Sequence, residues 1–324
     1  MTVSEIQAFL GEDWKRVQAL LRESLRSDVE VLDRTNSSLL DNGGKMLRPL
    51  LSLLVSKACG GVNEEGMRVA AAAELLHNAT LLHDDVLDDG WCRRGAPTVL
   101  STLGAKSSVL IGDFWLVKTM TTVLHCGEHF SQVSDLFSQT EQDLVEGELL
   151  QMAKAASGDS TEEDYMRIIY LKTASLFQTV CASAALAANA SESDAKSVTE
   201  YGRLLGMAFQ IKDDILDYEG GSLGKPTGVD LKEGKITLPL LGALNKVDKE
   251  REGEIRKMVS ALPQQPENCV SVAELVKELD GTGYARRTLD EFISKAKEAI
   301  CALPETQAKD YLLQIADYCA YRQI

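Results

Sequence analysis

Apolar residues recur at three- and four-residue intervals along almost the whole chain. Leu47, Leu50, Leu51, Leu54 and Val55 fall at helical spacing, and Ala58 continues the stripe. From Ala70 to Leu82 most faces are apolar, which predicts a central helix surrounded by others. Segments 106–125, 133–153, 164–189 and 194–218 read as long helices. Two stretches interrupt the pattern, GWCRRGAPT at 90–98 and EGGSLGKPTG at 219–228, and their Gly and Pro residues mark loops. After Pro239 the chain returns to helix, with a polar PQQPEN connector at 263–268. No solenoid-type repeat and no low-complexity tract is present. One echo spans the chain: LLHDDVLDDG at 81–90 is matched by FQIKDDILDYEG at 209–220, each a helix ending in an acidic cluster and then a glycine-containing loop. Two halves facing each other across one cleft account for the echo. The reading is therefore one helical domain over residues 1–324 rather than two separate ones.

Composition supports helix and removes several function classes. The chain has 324 residues, 7 of them Pro, and only 6% are aromatic, while Ala, Leu, Glu and Lys abound. A formal charge of −15 argues against nucleic acid and against docking on anionic lipid through a polybasic patch. A small anionic substrate stays open, because local Lys and Arg can overrule the global sign. The 7 cysteines form no CxxC pair, which points to a reduced, cytoplasmic compartment. The N-terminus lacks a basic start followed by an apolar run, and no stretch reaches the roughly 18 consecutive apolar residues of a membrane span.

Candidate chemistry lies in the acidic clusters. Asp84 and Asp88 are four residues apart, hence on one helix face, and Asp213 and Asp217 repeat the spacing. Uncompensated like charges at this separation cost about 0.2–0.5 kcal/mol per pair. They also sit toward helix C-termini, where the macrodipole disfavours anions. A hard cation relieves that strain, and Mg²⁺ is typically held by one or two carboxylates plus phosphate oxygens and water. A calcium loop starting at Asp85 would place Leu87 where an acidic or amide ligand is required. Zinc lacks its Cys and His spacing. A solvated acidic helix end would explain one such cluster as well as a metal does, but it explains two matching clusters less well.

Metal-bound diphosphate needs cationic neighbours. Lys45 and Arg48 lie in GGKMLRPLL near a helix start, an anion-friendly position. Arg93 and Arg94 follow the first acidic cluster, and Lys172 lies beside Thr173 in YLKTASLF. Lys225 and Lys235 bracket KPTGVDLKEGK, a candidate lid with Gly224, Gly228 and Gly234 as hinges. Each taken alone is an ordinary surface charge; association with the acidic motifs is what singles out Lys45, Arg48, Arg93 and Arg94. His77 lies two turns before Asp84, where a lone histidine is more often a satisfied core residue. Glu74 and His77 form a Glu-x-x-His pattern, but a di-iron bundle needs a second one, and His125 and His129 follow Thr122 and Cys126 instead.

In order, GGKMLRP, DDVLD with RRG after it, GDFWL, EGELLQ, LKTASLF, FQIKDDILD and GKPTGVDLKEGKITLP resemble the trans-isoprenyl diphosphate synthases, from the GGKMLRPLL stretch to about Leu241. The resemblance implies an all-α, single-domain orthogonal helical bundle around a central cavity, the isoprenoid synthase fold. It implies condensation of isopentenyl diphosphate onto an allylic diphosphate, farnesyl or geranyl, by a homodimer, with three Mg²⁺ ions when substrate is bound. Asp84, Asp88 and Asp213 would be the metal ligands, with Asp85, Asp214 and Asp217 supporting. Arg93 would meet the allylic diphosphate, with Lys172, Thr173, Gln210 and Lys225 on the same side and Lys235 as a second lid lysine. Lys45, Arg48, His77 and Arg94 would bind isopentenyl diphosphate. Met46 stands where many relatives carry a basic residue, and the tail YCAYRQI matches only loosely, leaving the role of Arg322 open. Short-chain members often carry aromatics at the fourth and fifth positions before the first aspartate motif. Here those are Thr80 and Ala79, whose small side chains imply a medium- or long-chain product, with geranylgeranyl diphosphate as the alternative. Ala79 packing against a neighbouring helix, with Trp115 or Met120 setting the floor, is the plainer reading. A terpene cyclase would not need GGKMLRP and a second DDILD, and a non-catalytic subunit of a heteromeric synthase tends to lose the aspartates.

Overall fold

A computed structural model describes residues 2–219 and 228–322, with the backbone alone for Val229. The regular structure of the described residues is helical apart from one pair of two-residue strands. Residue contacts group into two compact units. The first comprises Met1–Ser138, Thr179–Val198 and Ala302–Leu312; the second comprises Gln139–Gln178, Thr199–Cys301 and Leu313–Ile324.

The first unit is built around the helix Glu64–Leu87. Its start is fixed by Asn63, whose side-chain oxygen accepts the Gly66 N–H at 2.8 Å and whose amide donates to the Ala187 carbonyl at 2.6 Å. Val69, Ala70, Ala71, Ala72, Ala73, Leu75 and Leu76 are all fully buried, so this stretch is enclosed on every face as its composition requires. Burying a side chain such as Leu75 contributes about 1.5–3 kcal/mol. The helix packs along its length on Ala105–Leu124 and also against Leu47–Cys59. Trp115 lies fully buried within this unit, its indole N–H donating to Asn36 Oδ1 at 2.8 Å, while the Asn36 amide donates to the Leu25 carbonyl at 2.8 Å.

The 90–98 stretch, read from sequence as a loop, contains a tight hairpin. Cys92–Arg93 pairs antiparallel with Ala96–Pro97, and the two residues between, Arg94 and Gly95, have φ of 53° and 79°. Positive φ at both central positions is the twist that two-residue hairpins favour. Thr98 ties the end down, its hydroxyl donating to the Gly90 carbonyl at 2.7 Å.

The stretch read as a single helix over 164–189 belongs to the second unit only as far as Gln178, with Thr179 onward counted to the first. The structure opens it between Glu162–Ile169 and Ser175–Ala187 with a π-turn, Tyr170–Ala174. A π-turn widens the helix and re-aims the side chains that follow, and such turns concentrate at functional sites. Two glycines admit its girth: a methyl at Gly147 would lie 2.7 Å from Leu171 Cβ, and one at Gly206 would lie 2.5 Å from Ala174 Cα. The Glu162–Ala187 stretch is apolar enough to cross a membrane by length and composition, yet 78% of its most apolar window is buried inside the protein. That is the signature of a core helix.

Candidate active site

At the C-terminal end of Glu64–Leu87 the three aspartates of the first cluster diverge. Asp84 is half-buried, and Asp88 is the exposed residue that closes the helix, its N–H donating to the Asp84 carbonyl at 2.9 Å. Asp85 is turned inward, 5% exposed, and accepts a hydrogen bond from Arg93 Nε at 2.8 Å. Burial raises the Asp85 pKa above its ordinary value, against the Arg93 charge. The hairpin therefore delivers Arg93 to Asp85, while Asp84 and Asp88 keep accessible surface.

Upstream on the same helix lies a cationic nest. Burial holds the His77 pKa well below its ordinary value, and the positive charges of Arg48, Arg94 and Arg93 push it further down. His77 is therefore a neutral imidazole at neutral pH. Glu74 is 2% exposed; burial raises its pKa, opposed by Arg48, by a hydrogen bond from Asn78 and by Arg94. The Asn78 amide donates to Glu74 Oε1 at 3.0 Å. Gly44 makes the space for the Arg94 guanidinium, since a methyl there would lie 2.6 Å from Arg94 Cζ. Arg48 falls in the first turn of Leu47–Cys59, and Lys45 is exposed just before it. Met46, at the N-cap, adopts the left-handed conformation with φ 48°, a strained position for a side chain without a local hydrogen-bonding group. Sequence reading met Glu74 only in a rejected metal pattern; its place among the arginines has no signature in spacing.

In the second unit the second cluster divides in the same way. Asp213 is accessible, its side chain 44% exposed, and pairs with Arg322 Nη2 at 2.8 Å. Asp214 is 3% exposed and has both carboxylate oxygens engaged: Gln210 Nε2 donates to Oδ1 at 2.8 Å and Tyr165 Oη donates to Oδ2 at 2.6 Å. Thr173 in turn donates to Gln210 Oε1 at 2.8 Å. Burial drives the Asp214 pKa well up, and the nearby Asp230 charge adds to it. Asp217 Oδ2 accepts the Asp230 N–H at 3.2 Å. Lys172, on the π-turn, is ion-paired to Glu148, and Lys235 lies between Glu233 and Asp230. Burial lifts the Asp230 carboxyl to about 6, although the Lys235 charge opposes it. A cavity of about 130 Å³ is lined by Tyr165, Lys172, Gln210, Asp214, Asp230 and Lys235 among others. Lys225 and the hinge glycine Gly224 lie outside the described residues; Gly228 and Gly234 both have positive φ, 72° and 73°. Sequence reading missed Tyr165, Glu148 and Asp230. Glu148 and Asp230 stood inside quoted motifs, whereas Tyr165 sits 49 residues from its partner and carries no pattern.

The donors suit a hard cation. Among the described residues no three His, Cys, Asp or Glu side chains converge to hold a metal alone. What the helices offer is carboxylates one turn apart, the partial ligand set from which Mg²⁺ completes its shell with water and phosphate oxygens.

The polyprenyl synthetase family model matches residues 29–279. The octaprenyl diphosphate synthase of Escherichia coli is 34% identical over 327 residues, 99% of each chain. A short chain isoprenyl diphosphate synthase of Methanothermobacter thermautotrophicus is 37% identical over 328 residues, covering 98% of this chain and 99% of its own. A crystal structure of a Caulobacter crescentus polyprenyl synthase, complexed with calcium and isoprenyl diphosphate, superposes with a TM-score of 0.91 at 30% identity over 100% of this chain and 98% of its own. These neighbours share the all-α isoprenoid synthase fold. With the family model matched over residues 29–279 and a 34% identical relative covered along its whole length, this chain belongs to the polyprenyl synthetase family.

Proposed function

We propose that the protein is a magnesium-dependent, all-trans prenyltransferase that extends an allylic diphosphate with isopentenyl diphosphate, its whole chain forming one catalytic domain. The observation that carries this reading is the helix Glu64–Leu87, which bears Asp84 and Asp88 at one end and, two turns before, His77 in the positive field of Arg48, Arg94 and Arg93. A carboxylate pair next to an anion nest is what a metal diphosphate and a second diphosphate require together.

Asp84, Asp88 and Asp213 are the ligands for the metal, with Asp85, Asp214 and Asp217 behind them, and three ions are bound with substrate. When bound, the metal supplies positive charge to the departing diphosphate. Arg93, anchored by Asp85, and Lys172, anchored by Glu148, meet the allylic diphosphate together with Thr173, Gln210, Lys225 and Lys235. Lys45, Arg48 and Arg94 grip isopentenyl diphosphate, and His77 donates an N–H to it. The allylic C–O bond breaks, the isopentenyl double bond attacks the cation, and proton loss to the released diphosphate restores an alkene. Water has to be kept out while the cation lives, which is the task of the segment 225–235, whose described part includes the short helix Val229–Lys232.

Thr80 keeps some accessible surface while Ala79 is fully buried, so Thr80 is the residue we assign to product length. A small side chain there favours a medium- or long-chain product. The short-chain alternative, geranylgeranyl diphosphate included, draws support from the 37% identity to the Methanothermobacter enzyme. Leu110, Val117 and Leu124 are exposed at seven-residue spacing along one face of Ala105–Leu124. A second copy of the chain, paired about a two-fold axis, is the occupant we infer. Seven free thiols fit a cytoplasmic setting.

The test is incubation with Mg²⁺, farnesyl diphosphate and labelled isopentenyl diphosphate. Metal-dependent products longer than geranylgeranyl diphosphate support the reading, and absence of labelled product refutes it.

A further inference from the structure

Asp214 is the most enclosed carboxylate of the second cluster, and its two oxygens are spent inside the protein rather than offered outward. The donors form a directed chain. Tyr165 Oη donates to Asp214 Oδ2 at 2.6 Å, Gln210 Nε2 donates to Asp214 Oδ1 at 2.8 Å, and Thr173 Oγ1 donates to Gln210 Oε1 at 2.8 Å. Gln210 can serve Thr173 and Asp214 at once only with its amide in this orientation, because its oxygen must accept and its nitrogen must donate. The carboxylate fixes that orientation, and Tyr165 fixes the carboxylate. Tyr165 is itself 3% exposed and held by Glu162–Ile169, the helix immediately before the π-turn that carries Lys172 and Thr173.

We propose that Tyr165 is a positioning residue for the allylic-diphosphate side of the site, acting through Asp214 to set Gln210 and Thr173. The assignment rests on the prenyltransferase reading above, and the cavity bounded by Tyr165, Lys172, Gln210 and Asp214 is where its effect is delivered. Removing the hydroxyl leaves Asp214 Oδ2 buried without its donor. The carboxylate then turns to find another partner, and Gln210 loses its fixed orientation with it.

The experiment compares Tyr165→Phe with the intact protein and with Tyr284→Phe. Tyr284 makes the same kind of bond, its hydroxyl donating to both Glu162 oxygens at 2.8 and 2.9 Å, and serves no site residue. Tyr165→Phe is expected to raise KM for the allylic diphosphate roughly tenfold, the scale of a buried acceptor left without its donor. KM for isopentenyl diphosphate should stay within about twofold, again by the locality of that lost bond. Tyr284→Phe should leave both constants unchanged. A parallel thermal-shift titration with Mg²⁺ and inorganic pyrophosphate should show weaker stabilisation of Tyr165→Phe than of the intact protein. Equal rises in both KM values, or wild-type constants in Tyr165→Phe, overturn the proposal. If the intact protein makes no prenyl product but the pyrophosphate response is still lost in Tyr165→Phe, the function fails and the positioning role stands.

Discussion

Arg322 clasps Asp213 from the last described turn of the chain. Its Nη2 lies 2.8 Å from Asp213 Oδ1 and 3.0 Å from the Phe209 carbonyl oxygen, and its guanidinium sits 3.8 Å from the centroid of the Phe209 ring. The carboxylate proposed to take a metal thus already has a counter-charge, supplied by the tail whose role the sequence left open. A cation arriving at Asp213 competes with that guanidinium. Arg322→Gln should lower the Mg²⁺ concentration for half-maximal activity by up to about fivefold, since solvent at the 44% exposed Asp213 side chain holds the pair to about 1 kcal/mol. A magnesium titration of both proteins reads this directly, and superimposable curves would dismiss the competition.

Asp84 and Asp85 should fail differently. Asp84→Asn removes a proposed metal ligand and should lower kcat by about 10²-fold or more. Asp85→Asn instead weakens the hold on Arg93, so its main effect should be a higher KM for the allylic diphosphate. Steady-state constants with each substrate varied in turn separate the two.

His77 gives a pH signature. Its folded pKa lies below its unfolded value, so below about pH 6.5 the unfolded chain binds a proton that the folded protein refuses. The stability His77 contributes is whole above that pH and is lost as the pH falls through it, by at most about 1.4 kcal/mol per pH unit. Glu74, with a raised folded pKa, works in the opposite sense: its contribution is present at low pH and is lost as pH rises from the ordinary carboxylate range. His77→Gln should flatten the difference in urea midpoint between about pH 5.5 and 7.5, the window set by the ordinary histidine pKa. An unchanged difference would mean His77 does not titrate in this way.

Much of this was legible in the sequence because it rests on local periodicity. The long helices, the burial of 70–76 and the acidic ends of two helices follow from spacing alone. The hairpin at Arg94–Gly95 and the π-turn at Tyr170–Ala174 do not, because each depends on how the backbone is received by its surroundings. Gly147 and Gly206 carry no helical signal, yet they are what makes room for the π-turn. Tyr165 and Glu74 escaped for a related reason. Tyr165 belongs to no motif and Glu74 only to a rejected Glu-x-x-His pattern, and only tertiary packing brings a tyrosine to Asp214 and a carboxylate among arginines.

Gly206→Ala checks that packing account. A methyl 2.5 Å from Ala174 Cα forces the π-turn or its neighbour to shift. The loss should be about 1–3 kcal/mol, the usual cost of overpacking. Chemical denaturation measures it, and stability within error of the intact protein would show that the contact yields freely.

Thr80 and Ala79 separate product control from packing. Thr80→Phe should shorten the dominant product while the fold is retained. Ala79→Phe, at a fully buried position, should cost about 1–3 kcal/mol before any change in product is seen. Chromatography of the products and thermal denaturation of the two variants decide between these roles.

The claim on which the rest depends is that both aspartate clusters serve one diphosphate. A crystal structure of the protein with Mg²⁺ and inorganic pyrophosphate tests it most directly. The account predicts oxygens of Asp84 and Asp213 at about 2.1 Å from Mg²⁺ ions that share the same pyrophosphate. Metal and pyrophosphate bound at one cluster only, with Asp213 still paired to Arg322, would contradict it.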